Sequence, residues 1–221
     1  MKNYKKNLEL LTKHHVYSSE MEHDACGVGL IASTEGKKSR AVVEYGIEAL
    51  RAVWHRGAVD ADGKTGDGAG IHVEIPKDFF IEKIEITGHH YESSEICVGM
   101  IFLPRNDYSA QETCKTIVES ELTKYNFSIY GWRQVPVNSK VLGEKAFQTM
   151  PEIIQVLFKS NDINLLDKKL ERKIYETRKK IENKAFDLSL NNFYICSLSS
   201  KSIIYKGMFL AEAISDFFLD L

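Results

Sequence analysis

Two short apolar runs, residues 71–75 and 96–103, are each closed by a proline, Pro76 and Pro104. Proline has no N–H to give to a ladder, so a strand stops where it stands. Elsewhere the apolar period changes to that of a helix. Cys114, Val118, Leu122 and Tyr125 recur at helical spacing and predict a helix over 110–125. A charge-rich stretch, 163–185, puts Leu166, Leu170, Ile174, Ile181 and Ala185 on one stripe. It predicts a long amphipathic helix with a solvated Lys/Glu face. Residues 127–132 and 193–198 read as further strands, with 202–206 as hairpin partner of the latter. Strands and helices that alternate irregularly specify a layered α+β domain, not a Rossmann unit.

The 221 residues suffice for one large domain. With 43% hydrophobic and 27% charged residues, whole-chain disorder and a coiled-coil rod are excluded. Twenty-nine Lys and Arg against 31 Asp and Glu leave a net charge of −2, which exerts no general pull on nucleic acid or anionic lipid. No stretch reaches the roughly 18 apolar residues of a membrane span, and the basic start has no apolar run behind it to make a secretory signal. The four cysteines, Cys26, Cys97, Cys114 and Cys196, form no C-x-x-C pair and no metal-ligand spacing. Free thiols in a reducing, cytoplasmic setting, with no metal site, are the expectation.

Residues 1–25 read as a polar, Lys- and His-rich leader, and the composition changes sharply at Cys26. Residues 26–32, Cys-Gly-Val-Gly-Leu-Ile-Ala, predict a buried strand. Ser39 is a candidate N-cap for a helix that buries Val43, Ile47, Leu50 and Trp54. At the other end, Phe209, Leu210, Ile214, Phe217, Phe218, Leu219 and Leu221 crowd the last thirteen residues. Native termini are usually polar, so these side chains are expected to lack partners and to leave the chain marginally stable and self-associating.

Cys26 supports two readings: a small core residue, or a nucleophile. If residues 1–25 are removed, Cys26 carries both a thiol and an α-amino group whose pKa near 8 suits a general base at neutral pH. Flanking glycines would let a substrate approach the backbone closely. Thr65-Gly66-Asp67-Gly68-Ala69-Gly70 is not followed by the Gly-Lys-Ser/Thr of a phosphate loop and precedes a strand, so it reads as a tight loop. His55-Arg56-Gly57 reads as a helix C-terminus with basic dipole partners, or as a turn whose Arg56 shapes a pocket beside Cys26. The seven histidines show no metal spacing and read as surface residues.

Taken together, these strings resemble the large subunit of glutamate synthases. His23-Asp24-Ala25-Cys26-Gly27-Val28-Gly29, Trp54-His55-Arg56-Gly57-Ala58 and Thr65-Gly66-Asp67-Gly68-Ala69-Gly70 carry the resemblance. Phe102-Leu103-Pro104-Arg105, Gly131-Trp132-Arg133-Gln134-Val135-Pro136-Val137, Phe193-Tyr194-Ile195-Cys196-Ser197-Leu198-Ser199-Ser200 and Ile204-Tyr205-Lys206-Gly207-Met208 extend it in order from about residue 21 onward. It implies a class II glutamine amidotransferase domain with the N-terminal-nucleophile fold, an αββα sandwich of stacked antiparallel sheets flanked by helices. Residues 1–25 would be a propeptide cleaved after Ala25, and 26–221 the N-terminal portion of the domain.

By the same resemblance, Cys26 attacks the side-chain amide of L-glutamine, releases ammonia and leaves a γ-glutamyl thioester. Arg56 and Gly57 match the turn that lines the nucleophile's pocket, and Asp67 is expected to order its loop. No cofactor is implied for this segment. FMN and an iron-sulfur cluster belong to the complete enzyme, whose partners are the rest of the large subunit and a small subunit; the electron donor stays open. The family's Ser-Arg-Phe-Ser-Thr block, which grips the α-carboxylate, and its His-Asn-Gly block, which supplies the oxyanion hole, do not occur in residues 1–221. The resemblance therefore implies an incomplete domain whose isolated chain turns over very little. Two other readings stand beside it: a non-catalytic structural or binding module, and a cysteine-dependent amide hydrolase unrelated to glutamine.

Overall fold

In the computed structural model the described residues are 2–14, 26–53, 57–91 and 95–221. Seven helices and six strands run in the order α1 (Lys2–His14), α2 (Arg40–Ala52), β1 (Ala69–Glu74), α3 (Lys77–Ile86), β2 (Cys97–Leu103), α4 (Tyr108–Lys124), β3 (Phe127–Gln134), α5 (Glu144–Thr149), β4 (Glu152–Ser160), α6 (Asp167–Asp187), β5 (Tyr194–Ser199), β6 (Ser202–Gly207) and α7 (Ile214–Phe217) among these residues. They build two antiparallel sheets, a four-stranded one in the order β3-β4-β2-β5 and a two-stranded one of β1 and β6. The result is an α+β sandwich.

The period of two along β2 explains the layering. Cys97, Ile101 and Leu103 pack with Cys114, Val118 and Leu122 of α4 and with Leu170, Ile174 and Ile181 of α6. Val98 and Met100 point the other way, into a second core shared with Ile203 and Tyr205 of β6 and Ile47 of α2. One sheet thus has helices outside and the other sheet inside. The α6 stripe is buried at Leu170, Ile174, Thr177, Ile181 and Ala185. Each full-sized apolar side chain hidden there contributes about 1.5–3 kcal/mol. Leu166 falls off the stripe: it is the residue before the helix and 54% exposed.

Three expectations are revised, and one strand was not anticipated. Residues 26–32 form no strand, and Val28 and Leu30 are 89% and 90% exposed. Strand-like composition does not make a strand without a ladder partner, and no described strand pairs with this segment. Next, β6 does not form a hairpin with β5. Ser199 Oγ accepts from the N–H groups of Lys201 (2.9 Å) and Ser202 (3.3 Å), turning the chain out of one sheet and onto β1 in the other. Glu171 of α6 fastens that corner by accepting from the Ser200 N–H and hydroxyl, both at 2.7 Å, and from the Ser199 hydroxyl at 2.9 Å.

The tail is the third revision: Phe209, Ile214, Phe217 and Phe218 are each at most 2% exposed, packed in the core between the sheets. Their partners are in the chain itself, which removes the reason for expecting a sticky, marginal fold. Finally, β4, the strand between β3 and β2, has no counterpart in the sequence reading.

Candidate active site

Cys26 is the exposed thiol of the four; Cys97, Cys114 and Cys196 are buried. Burial pushes the Cys114 and Cys196 thiols up to about 11, and that of Cys97 further still. Cys196 also donates its S–H to the Ile204 carbonyl at 3.4 Å. These three thiols are kept protonated and out of reach at neutral pH.

Gly57 and Asp67 sit at the base of one compact loop. The Asp67 N–H donates to the Ala58 carbonyl at 3.3 Å, Val59 and Gly66 bridge, and Asp60 N–H donates to Thr65 O at 2.8 Å. The structure brings these two predicted residues together at an exposed surface. Arg56, Trp54 and residues 15–25 of the expected leader lie outside the described residues, while 2–14 of that leader form α1. No hydrogen bond or ion pair among the described residues joins Cys26 to the loop. Two clefts, of about 450 and 680 Å³, open elsewhere on the surface, and neither is lined by Cys26, Gly57 or Asp67.

The side chains that shape the loop are ones the sequence reading passed over. Asp62 accepts from the Lys64 and Thr65 N–H groups at 2.9 and 2.7 Å and from the Thr65 hydroxyl at 2.6 Å. The hydroxyl, followed by the two N–H groups, holds the Asp62 carboxyl well below the usual carboxylate range. Asp60 receives Lys145 of α5 at 2.7 Å, and that bond, with the Ala61 N–H, holds its carboxyl low as well. Thr65 Oγ1 in turn accepts from Ala146 N–H in the first turn of α5 at 3.3 Å. Gly143 is required here, because a Cβ on it would stand 2.2 Å from Asp62 Oδ2. The signal was present in Asp62-Gly63-Lys64-Thr65, an Asp three residues before a Thr, which is the pattern of a side-chain-closed turn. This is a tight loop held by carboxylates, with no arrangement for a phosphate.

Cysteine placement also bears on clusters. Cys97 faces the helix side of the four-stranded sheet and Cys196 the opposite side, so these donors do not fit an iron–sulfur cluster. Among the described residues no group of three or more His, Cys, Asp or Glu could hold a metal ion. No described helix is long and apolar enough to cross a membrane.

The glutamine amidotransferases class-II family matches residues 26–221, the match starting at the exposed cysteine. The chain belongs to that family. As a class II glutamine amidotransferase it is similar to the glutamate synthase [NADPH] large chain of Azospirillum brasilense, 52% identical over 218 residues, covering 99% of this chain and 14% of the relative. It is 38% identical over 217 residues to the ferredoxin-dependent glutamate synthase of Pyropia yezoensis (96% and 14% covered). With a ferredoxin-dependent glutamate synthase of Arabidopsis thaliana it shares 41% over 202 residues (90% and 12% covered). The amidotransferase chain thus spans about 14% or less of the length of these relatives.

Proposed function

We propose that residues 26–221 carry the glutamine-hydrolysing chemistry of a glutamate synthase, with Cys26 as nucleophile after removal of residues 1–25. The observation that carries this reading is the coincidence of the family match beginning at Cys26 with the exposure of that thiol alone among four.

In this mechanism the freed α-amine of Cys26 takes the Sγ proton, and the thiolate attacks the amide carbon of glutamine. The C–N bond breaks, the amine's proton leaves with ammonia, and a γ-glutamyl thioester remains. Water adds, the C–S bond breaks, and glutamate and the thiol are regenerated. Arg56 and Gly57 are assigned to the pocket wall and Asp67 to loop order. The oxyanion donors and the group gripping the α-carboxylate are not assigned to residues of this chain. Ammonia then passes to 2-oxoglutarate chemistry, to which FMN and an iron–sulfur cluster held elsewhere in the enzyme contribute. The remainder of the large subunit and a small subunit are the proposed partners, and a reducing cytoplasm is the proposed setting, which free thiols support.

The test treats the native enzyme with a diazo-ketone analogue of glutamine and maps the adduct. The expected result is labelling of Cys26 with Cys97, Cys114 and Cys196 spared, a mature chain beginning at Cys26, and no glutamine hydrolysis by Cys26→Ala. An adduct on Cys196, or an active Cys26→Ala enzyme, overturns the assignment.

A further inference from the structure

An ion pair lies nearly buried at the edge of the inter-sheet core. Arg133, on β3, reaches Asp220 Oδ2 at 2.5 Å, with 13% and 7% of the two side chains exposed. Asp220 Oδ1 and Oδ2 are both buried and neither meets hydrogen-bond geometry, so the contact is one of charge. Arg133 also donates to Gln155 Oε1 at 2.7 Å and lies 5.1 Å from the Phe79 ring centre. Gln155 is fully buried and hydrogen-bonds Tyr205, whose hydroxyl is pushed up by burial and by the Asp220 charge.

Removing two charges from water costs several kcal/mol each, so such a pair is weak as a source of stability. Its geometric content is greater. The segment it terminates carries Phe209, Leu210, Phe217, Phe218 and Leu219, and burial of apolar surface has no direction. A run of adjacent aromatic residues can be buried in more than one register; a single buried carboxylate facing a single buried guanidinium permits one. The register then fixes everything upstream. Leu219 N–H donates to Pro136 O at 3.1 Å and Asn138 N–H to Phe217 O at 2.8 Å. Ser215 receives a hydrogen bond from Arg51, in the last turn of α2, at 2.8 Å. Phe209 lies so close under the candidate loop that a Cβ on Gly66 would stand 2.7 Å from its carbonyl oxygen. Residues 209–220 therefore form a strap from β3, past the end of α2, to the loop that carries Asp67.

We propose that Arg133 and Asp220 are positioning residues of the glutamine site: their buried ion pair sets the register of residues 209–220, and through Ser215 and Phe209 that register holds the end of α2 and the 57–68 loop in place. This rests on the glutamine-hydrolysing reading above only for what the loop serves.

The test compares Arg133→Met with the double variant Arg133→Met/Asp220→Leu. The single change strands a buried carboxylate and lowers the melting temperature. The double change replaces a buried pair with apolar groups and recovers it. Two measurements are made on each. Hydrogen exchange of the 221-residue chain is expected to show residues 57–68 opening about tenfold faster in the double variant, with β2 and β4 unchanged, the size typical of a coupling carried through packed contacts. In the native enzyme the glutamine KM is expected to rise about tenfold with kcat within about twofold. Wild-type exchange over 57–68 in the double variant, or an unchanged KM, overturns the proposal. An active Cys26→Ala enzyme would instead sink the functional reading, and the exchange measurement still decides the strap.

Discussion

Residues 26–32 and 209–221 are both apolar, yet they end up in opposite environments. Val28 and Leu30 stand about nine-tenths exposed, whereas Phe209, Ile214, Phe217 and Phe218 are at most 2% exposed. Composition does not separate them; partners do. The tail has a backbone bridge from Val137 to Phe218, edge-to-face rings between Tyr205 and Phe218 at 5.0 Å and between Phe217 and Phe218 at 4.7 Å, and the Arg133–Asp220 pair. The segment after Cys26 has none of these among the described residues. An apolar run becomes core only where the fold offers a complementary surface, and the difference leaves Cys26 accessible while the tail is locked.

That contrast can be tested, most strongly at the tail. Phe218→Ala removes a ring that touches Tyr205, Phe209 and Phe217, and a loss of about 3–5 kcal/mol is expected in urea unfolding. A loss under about 1 kcal/mol would mean that the tail is only loosely seated. Gly66→Ala tests how closely the tail meets the loop. The added methyl must displace the Phe209 backbone, so destabilisation of about 1–3 kcal/mol is expected, and a neutral result would place Phe209 farther from the loop.

Acid separates polar fastening from apolar fastening. The Asp60 and Asp62 carboxyls are lowered in the fold, so unfolded carboxylates bind protons first as pH falls. Their contribution is complete above the ordinary value near 4 and is lost below it. Protection factors at Lys64 and Thr65 should hold from pH 7 to about 4.5 and fall below about pH 4, while those at Phe217 and Phe218 stay level until global unfolding. Equal loss in both places would show that the loop has no fastening of its own. The smallest effect is expected at Leu30→Ser, within about 0.5 kcal/mol because an exposed side chain has little to lose. A cost of 2 kcal/mol there would show that residues 26–32 are packed, and the contrast would collapse.

How much of this was legible beforehand follows from which signals are local. The α6 stripe and the α4 repeat are written in the spacing of their own residues, and β1 and β2 are delimited by Pro76 and Pro104. The strand over 202–206 was readable, but its partner was not. A two-residue corner suggests a hairpin, and only the side chains of Ser199 and Glu171 turn β6 toward a strand more than a hundred residues earlier. The run 153–158, Ile-Ile-Gln-Val-Leu-Phe, has neither a two- nor a 3.6-residue period, because both faces of β4 are buried. Of the candidate site, Cys26, Gly57 and Asp67 were readable as residue types in strings. The Asp62 turn is signalled by its own string, Asp62-Gly63-Lys64-Thr65, whereas the bonds that tie the loop to α5, Lys145 to Asp60 and Ala146 to Thr65, join residues far apart in the chain and leave no trace in local spacing.

The pairing of β1 with β6 also has a consequence in time. Glu74 faces Ser202 across that ladder, 128 positions later in the chain. At a synthesis rate of about 5–20 residues per second, β1 is complete roughly 6–25 s before the first residue of its partner is made. During that interval the edge of β1 that β6 will occupy has no native match. Contacts this distant in sequence form late, so the nascent chain must survive this waiting period with an unpaired strand exposed, the form most open to wrong pairing with neighbouring chains.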